Sequence, residues 1–254
     1  QPHTTADAVP ASTAGALLAL ADRFDLLAAM FALGAKPSGS SDPYGLRRAA
    51  LGVARILRER PELQELSIAS GLRSAAARLA EQDIECSEGT LDAAEEFILG
   101  RFAQLQRDEG RSADLVAAVK PSAGRPGVAD GHAKALTKLA GNEDFAALVE
   151  GIVRINRIVP EGTGARIASD LLTEPAEQAL IQALEQVEPS EDLSTFNASA
   201  VSLVAPISQF FEDILVMAKD EELRAARLGL LAAVLEKAPS GLDWTAVDAV
   251  TARA

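Results

Sequence analysis

The sequence has few of the residues that build disulfides, metal sites and aromatic cores. Its single cysteine, Cys86, excludes an internal disulfide and fits a reducing compartment. With only two histidines beside that cysteine, a zinc site would need mostly carboxylate ligands, so we expect no bound metal. Aromatic residues make up only 4% of the chain, so its core must consist mainly of Ala, Leu, Val and Ile. Because Ala and Leu are strong helix formers, this composition favours helices.

Long apolar runs are also missing. No uninterrupted stretch approaches the roughly 20 apolar residues that a membrane-spanning helix needs. The N-terminus has no initiator Met, no basic region and no apolar signal core, and it looks like the cut end of a longer chain. We therefore expect a cytoplasmic protein without a membrane partner.

Positive charge is scarce overall but concentrated in one stretch. The 254 residues carry a formal net charge of −13. Residues 36–60 nevertheless hold six basic residues against two acidic ones, a net charge of +4, so the remainder sums to −17. Because the field of such a protein repels polyanions at long range, any contact between the basic stretch and a polyanion must be local.

Apolar residues recur at helical spacing along almost the whole chain, and we find neither a convincing strand alternation nor an internal repeat. Ser12, Thr90, Asn142 and Asp220 are predicted to cap helices, and Gly34 and Gly110 to end them. The predicted helices include 46–58, 63–82 with a break near Gly71, 143–159, 174–187, 192–204, 206–218, 221–237 and 241–252. This pattern predicts an all-α protein.

One predicted helix, 46–58, separates apolar from basic residues. At about 100° per residue, Arg47, Arg48, Arg55 and Arg58 fall within about 100° of one another, and the apolar side chains lie opposite. Such a face is either solvated and paired with acidic residues elsewhere, or it binds phosphate. Arginine favours the second interpretation because its planar fork matches phosphate oxygens. The loop 38–41 adds hydroxyls and amides beside it, but it lacks the lysine of a Walker nucleotide loop.

Several segments resemble one protein family. Residues 37–52 read PSGSSDPYGLRRAALG, residues 210–218 read FFEDILVMA, residues 224–231 read RAARLGLL, and residues 153–159 read VRINRIV. These segments, with ALADRFD at 19–25, are very similar to the bacterial glycyl-tRNA synthetase β subunit. The family usually has Thr, Asn and Ala where this chain has Ser38, Ala226 and Gly229.

The resemblance implies an all-α fold made of helical bundles. Residues 1–85 would be the end of an HD-like helical domain, 86–120 linker helices, and 121–254 a DALR-like anticodon-binding helical domain. In HD phosphohydrolases, an aspartate resembling Asp22 binds a metal, but the histidines that would complete this site are absent from the sequence. We therefore expect Asp22 to pair with a neighbouring arginine instead.

The resemblance also turns two pairs of arginines into candidate RNA contacts. Arg154 and Arg157 lie one turn apart on the predicted helix 143–159, and Arg224 and Arg227 repeat this spacing after Asp220. Either pair could bind phosphates, or it could form salt bridges with neighbouring acidic residues.

Three other side chains are candidates for recognition of bases. Asn156 could contact the edge of a base or simply satisfy a helix end. Tyr44 lies beside the arginines and could stack on a base. Phe210 is a second stacking candidate, although either it or the adjacent Phe211 must belong to the core.

The resulting hypothesis is a tRNA-binding region whose basic helices position the anticodon arm for aminoacylation by the α subunit. The resemblance implies no catalytic site, metal or cofactor in this stretch, because the ATP and Mg²⁺ of the whole ligase bind at the α-subunit site. The implied partners are tRNA-Gly, the α subunit and the rest of the β chain. The alternative is a protein-interaction scaffold of the synthetase without RNA contact. An active HD-type phosphohydrolase is disfavoured by the missing histidines.

Overall fold

The computed structural model describes residues 9–35, 42 and 44–253, and the described residues form helices without strands. The predicted all-α fold is thereby confirmed. In chain order the helices are α1 (Thr13–Ala32), α2 (Leu46–Glu59), α3 (Ile68–Ala80), α4 (Glu88–Asp108), α5 (Ala113–Ala118), α6 (Pro126–Leu139), α7 (Glu143–Ile158), α8 (Pro175–Glu185), α9 (Leu193–Ala200), α10 (Val204–Asp213), α11 (Glu221–Lys237) and α12 (Trp244–Thr251). Within the described ranges, no helix is long and apolar enough to cross a membrane.

Side-chain caps explain where several helices begin. Ser12 accepts a hydrogen bond from the Gly15 amide at 3.1 Å, and Asn142 accepts one from the Phe145 amide at 2.8 Å. Asp220 caps α11 in the same way, as the sequence predicted. Each such cap typically contributes about 1 kcal/mol, because it satisfies a backbone donor that the helix itself leaves unpaired.

Three predicted helix boundaries were wrong. Ser87, not Thr90, caps α4, because its hydroxyl accepts from the Thr90 amide. No break interrupts α3 at Gly71, because the glycine lies inside a continuous helix. Helix α10 ends at Asp213 instead of continuing to residue 218. The segment that follows is irregular, and its backbone at Ile214 is extended.

The chain folds into two compact units. Unit 1 comprises Gln1–Val116 and Ser122–Asp130, and unit 2 comprises Ala117–Pro121 and Gly131–Ala254. Helix α4 packs against α1, α2 and α3 inside unit 1, although the sequence placed it in a linker. The predicted ranges 1–85, 86–120 and 121–254 were drawn on a different basis from these units and stay predictions.

Unit 1 is built around the mutual packing of α1 to α4. Its core is aliphatic with few aromatic rings, as the composition required, and includes the buried side chains of Leu20, Phe24, Leu27, Phe31, Val53, Leu57, Ile68, Leu72, Leu91 and Ile98. The segment 122–130 belongs to this unit because the Ile68 amide donates to the Gly124 carbonyl at 2.8 Å, and Arg111 pairs with Asp130.

Unit 2 is organised by α7, which packs against α10, α11 and α12, while α8 packs against α10. Phe145, Phe196 and Phe210 are fully or almost fully buried in this unit. The only tryptophan of the chain, Trp244, is buried against the ring of Phe196, with a centroid separation of 6.0 Å. Unit 2 therefore has its own hydrophobic core.

Candidate nucleic-acid interface

Helix α2 carries the basic stretch on one face and packs with the other. Most of its apolar residues are buried, including Val53 and Leu57, which are at most 1% exposed. On the opposite face Arg48 is exposed, whereas Arg47 and Arg55 are half-buried. The predicted separation of the two faces is confirmed. Its consequence is that the arginines stand at the surface without disturbing the core of unit 1.

The fourth arginine of α2, Arg58, is held by acidic residues. Its Nη1 donates to both carboxylate oxygens of Glu109, at 2.9 and 2.7 Å, and its Nη2 lies 3.4 Å from Glu59. Burial by itself would lower the pKa of Arg58, but the hydrogen bonds and negative charge of Glu109 outweigh it and raise the pKa. Only 13% of the side chain is exposed. Arg58 therefore joins α2 to the end of α4, and its predicted contact with RNA stays a prediction.

The start of α2 is shaped by Asp42 and Gly45. The Asp42 carboxylate accepts a hydrogen bond from the Arg47 amide at 3.1 Å. Gly45 has φ +67°, a conformation that favours glycine, and the Arg48 guanidinium folds over it. Lys36 to Ser41 and Pro43 lie outside the described residues, so the predicted phosphate contacts of the loop 38–41 stay predictions.

A groove between α2 and α4, with a volume of about 450 Å³, collects basic side chains in unit 1. We call it the α2–α4 groove, and its lining residues are Arg47, Arg48, Leu51, Arg55, Arg101, Gln104, Leu105, Asp108 and Glu109. Sequence reasoning missed Arg101, which lies 54 positions after Arg47. Arg101 lies four residues after Phe97, so the sequence places both on the same face of α4. Its proximity to the other arginines depends on the packing of α2 against α4, which the sequence does not reveal.

The predicted RNA contacts on α7 lie at the surface of unit 2. Arg154, Asn156 and Arg157 are all exposed, while Ile152 and Ile155 on the same helix are buried. The Arg154 guanidinium carbon lies 4.0 Å from the centroid of the Phe211 ring, a cation–π contact that restricts its position. Phe211 is itself half-buried. This edge of α7 therefore combines a positioned cation, an aromatic ring and an amide.

The arginine pair on α11 has a different role. Arg227 is 8% exposed, and its Nε donates to Glu177 at 2.7 Å while its Nη1 donates to the Leu215 carbonyl at 2.9 Å. This burial and the two hydrogen bonds disfavour a contact between Arg227 and RNA, which stays a prediction. Arg224 is half-exposed and donates to the Ala218 carbonyl at 3.2 Å and to Glu221 at 3.4 Å.

Of the two stacking candidates, only Tyr44 is accessible. Phe210 is 0% exposed, so the prediction that it stacks on a base is corrected: it is the core member of the pair Phe210–Phe211. Tyr44 is 57% exposed. Sequence reasoning also missed Leu215 and Met217, which are 71% and 59% exposed.

Leu215 and Met217 are exposed because the segment after α10 alternates. Ile214, Val216 and Ala218 are each at most 8% exposed, so every second side chain points outward. All five residues are apolar, and the sequence therefore offers no polar signal that would mark the exposed ones.

Asp22 and Cys86 are two further residues that the sequence analysis discussed. Asp22 is exposed, and its neighbour Arg23 donates to the Ala19 carbonyl at 2.8 Å. Burial raises the pKa of the Cys86 thiol, which disfavours the nucleophilic thiolate. In the part of the chain that the structure describes, no three His, Cys, Asp or Glu side chains form a group that could hold a metal ion.

Two family models match this chain in sequence order. Residues 1–121 match the model described as glycyl-tRNA synthetase beta subunit, and residues 149–251 match that of the DALR anticodon binding domain. The second match contains the exposed edge of α7, the segment after α10 and all of α11.

Individual relatives agree with the family models. A glycine–tRNA ligase beta subunit of Leptothrix cholodnii is 38% identical over 245 residues, which cover 91% of this chain and 33% of the relative. The same subunit of Chromohalobacter salexigens is 36% identical over 92% of this chain and 35% of its own length. That of Yersinia pestis is 34% identical over 93% of this chain and 35% of its own length. The chain thus spans about a third of these relatives, and it belongs to the glycyl-tRNA synthetase beta subunit family.

Proposed function

We propose that this chain is a tRNA-binding region of a glycine–tRNA ligase beta subunit. One observation carries the proposal. The exposed edge of α7 lies within residues 149–251, the range that matches the DALR anticodon binding domain. Arg154 and Arg157 would bind phosphates of the anticodon arm. Asn156, between them in sequence, would contact a base edge, since unpaired loop bases expose their hydrogen-bonding groups.

The mechanism that we propose is positioning rather than chemistry. The chain holds tRNA-Gly so that its acceptor end reaches the active site on the α subunit, where the whole ligase uses ATP and Mg²⁺. The reacting groups then belong to the α subunit, and this chain contributes no catalytic residue, metal or cofactor. Its partners are tRNA-Gly, the α subunit and the rest of the β chain, in the cytoplasm.

Direct binding tests this function. The affinity of the chain for labelled tRNA-Gly is measured by fluorescence anisotropy at low and moderate salt. It is compared with the affinity for an anticodon-swapped transcript. We expect the swap and an Arg154→Ala/Arg157→Ala variant each to weaken binding. The matched control is Arg73→Ala/Arg78→Ala, which removes two exposed arginines from α3. If wild type and both variants bind the two transcripts equally, unit 2 does not read the anticodon.

A protein-interaction scaffold is the second candidate function. It is favoured by Leu17 and Leu18 on α1, which are 45% and 74% exposed and offer an apolar surface to a protein partner. A scaffold of this kind would show no tRNA binding at any salt concentration, whereas RNA binding should weaken steeply with added salt. The anisotropy series therefore decides between the two functions.

A further inference from the structure

The segment that follows α10, residues 214–218, is fixed to α11 by two arginines. Arg227 donates from Nη1 to the Leu215 carbonyl at 2.9 Å, and Arg224 donates from Nη1 to the Ala218 carbonyl at 3.2 Å. The first bond is itself secured, because the same guanidinium is buried and paired with a carboxylate of α8. Both ends of the segment are therefore anchored, and the side chains that it presents to solvent are held in place before a ligand arrives.

Leu215 and Met217 are the side chains that this segment presents. They are 71% and 59% exposed, whereas the alternate residues Ile214, Val216 and Ala218 are at most 8% exposed. The buried set packs the segment onto unit 2, and the exposed set has apolar surface whose burial by a partner would contribute free energy of binding. A fixed backbone that directs both side chains outward offers a pre-formed apolar contact, because little freedom is lost when a ligand binds to it.

The charges around the segment restrict the chemistry of its occupant. Residues 214–218 carry no charge, but Glu212 and Asp213 precede them, Asp220 and Glu221 follow them, and all four are at the surface. Carboxylates on both sides repel a phosphate, so the contact suits an uncharged, largely apolar group. A nucleic-acid base is such a group, because unpaired bases are held by stacking on aromatic and apolar side chains.

A cation for the adjoining phosphate lies close to this contact. Phe211 is four residues before Leu215, so their Cα atoms are at most about 14 Å apart. The exposed Arg154 of α7 has its guanidinium carbon 4.0 Å from the centroid of the Phe211 ring. The cation and the apolar contact are therefore within reach of a short run of unpaired nucleotides, and both lie in the range that matches the anticodon binding domain.

We propose that Leu215 and Met217 form a base-contacting surface, on which an unpaired base of the anticodon loop packs while Arg154 binds an adjoining phosphate. This assignment rests on the proposed function, and it adds two residues that the sequence did not mark as contacts. The contact is apolar, so it adds affinity for an exposed base without reading its hydrogen-bonding edge. Recognition of the base edge is left to neighbouring polar groups such as Asn156.

The first test changes the two exposed side chains. Binding of tRNA-Gly to a Leu215→Ser/Met217→Ser variant of the 254-residue chain is measured over a series of salt concentrations. We expect the affinity to fall about tenfold at every salt concentration. The slope of log K against log salt should stay unchanged, because no phosphate contact is lost. The matched control is Leu17→Ser/Leu18→Ser, which removes two exposed leucines from α1 and should leave the affinity unchanged. Circular dichroism checks that both variants are folded.

Methionine provides a spectroscopic readout at the proposed contact. The chain has two methionines, Met217 in unit 2 and the half-buried Met30 in unit 1. In protein labelled with ¹³C-methyl methionine, the two methyl signals are assigned from a Met217→Leu variant and followed during titration with the anticodon stem-loop of tRNA-Gly. A base packed on the segment should shift the Met217 signal through its ring current and leave the Met30 signal in place. A duplex of the same stem without a loop should shift neither signal.

The outcomes distinguish the base contact from the proposed function. If wild type binds tRNA-Gly but the Met217 signal and the affinity of the serine variant stay unchanged, the segment does not contact RNA, although the tRNA function stands. An equal shift with the loop-free duplex also overturns the assignment to an unpaired base. If the Arg154→Ala/Arg157→Ala variant lowers the salt slope while the serine variant lowers only the affinity, both proposals are supported. Absence of tRNA binding by wild type overturns both.

Discussion

At the scale of single residues, arginines of similar sequence context have different roles. Arg227 lies three residues after Arg224, yet it is buried and bound to Glu177, which is 0% exposed. Arg58 forms a salt bridge with Glu109, whereas Arg154 remains at the surface and contacts the Phe211 ring. The sequence predicts that these arginines lie on helices. It does not predict which of them meets an acid from an element 50 residues away, because that depends on tertiary packing.

The buried pair Glu177–Arg227 should be strongly coupled. Each partner alone would leave an uncompensated charge inside unit 2, so Glu177→Leu or Arg227→Met should each cost about 3–5 kcal/mol of unfolding free energy. The double variant should cost much less than the sum of the two, because it removes both charges together. Urea unfolding followed by circular dichroism measures all three. Additive effects of the single changes would show that the pair is not coupled.

At the scale of elements, glycines decide how closely helices approach. Gly71 lies within α3, where a Cβ atom would come 2.3 Å from the Phe24 ring of α1. Gly229 in α11 allows the close approach of an irregular segment instead, because its Cβ would lie 2.8 Å from the Arg166 carbonyl oxygen. Glycine weakens helices, which is why the sequence predicted a break at Gly71, but the close packing of Phe24 outweighs that cost.

Gly71→Ala should therefore destabilise unit 1 although alanine is the better helix former. Overpacking against Phe24 should cost about 1–3 kcal/mol. The matched control is Gly100→Ala in α4, where a Cβ would meet nothing within 4 Å. That change should stabilise by about 0.4–1 kcal/mol, because it restricts the unfolded chain without strain. Thermal unfolding compares the two, and equal shifts of the same sign would contradict the packing argument.

Most elements could be predicted from local signals, and the candidate sites only in part. Caps such as Ser12 and Asn142 lie next to the helices that they start, so the sequence reveals them directly. The arginines of α2 and α7 were also predicted. Arg101 and Phe211 were not, because their partners come from other helices. The extended segment after Asp213 was missed since its apolar residues fit either a helix or a strand.

At the scale of the whole molecule, negative charge outweighs two local basic surfaces. The net charge of −13 opposes the approach of any polyanion, and the basic groups of α2 and α7 act only at short range. Such a balance disfavours indiscriminate RNA binding while it preserves binding where several contacts form at once.

Removing exposed acidic groups should therefore reduce selectivity. Glu185→Gln/Glu188→Gln neutralises two exposed carboxylates in unit 2. We expect faster association with a homopolymer RNA at low salt, and a smaller ratio between tRNA-Gly and homopolymer affinity, because long-range repulsion is weakened. Stopped-flow association kinetics at two salt concentrations measure this effect. An unchanged ratio would mean that the global charge has no role in selection.

The single tryptophan gives the chain a built-in optical label. Because Trp244 is buried against Phe196 in unit 2, its emission reports the environment of that core and of no other region. Its fluorescence lifetime and wavelength can follow the melting of unit 2 without any attached dye, while far-ultraviolet signals follow both units together. Any quenching on addition of RNA would therefore originate in the half of the chain that carries the anticodon binding domain match.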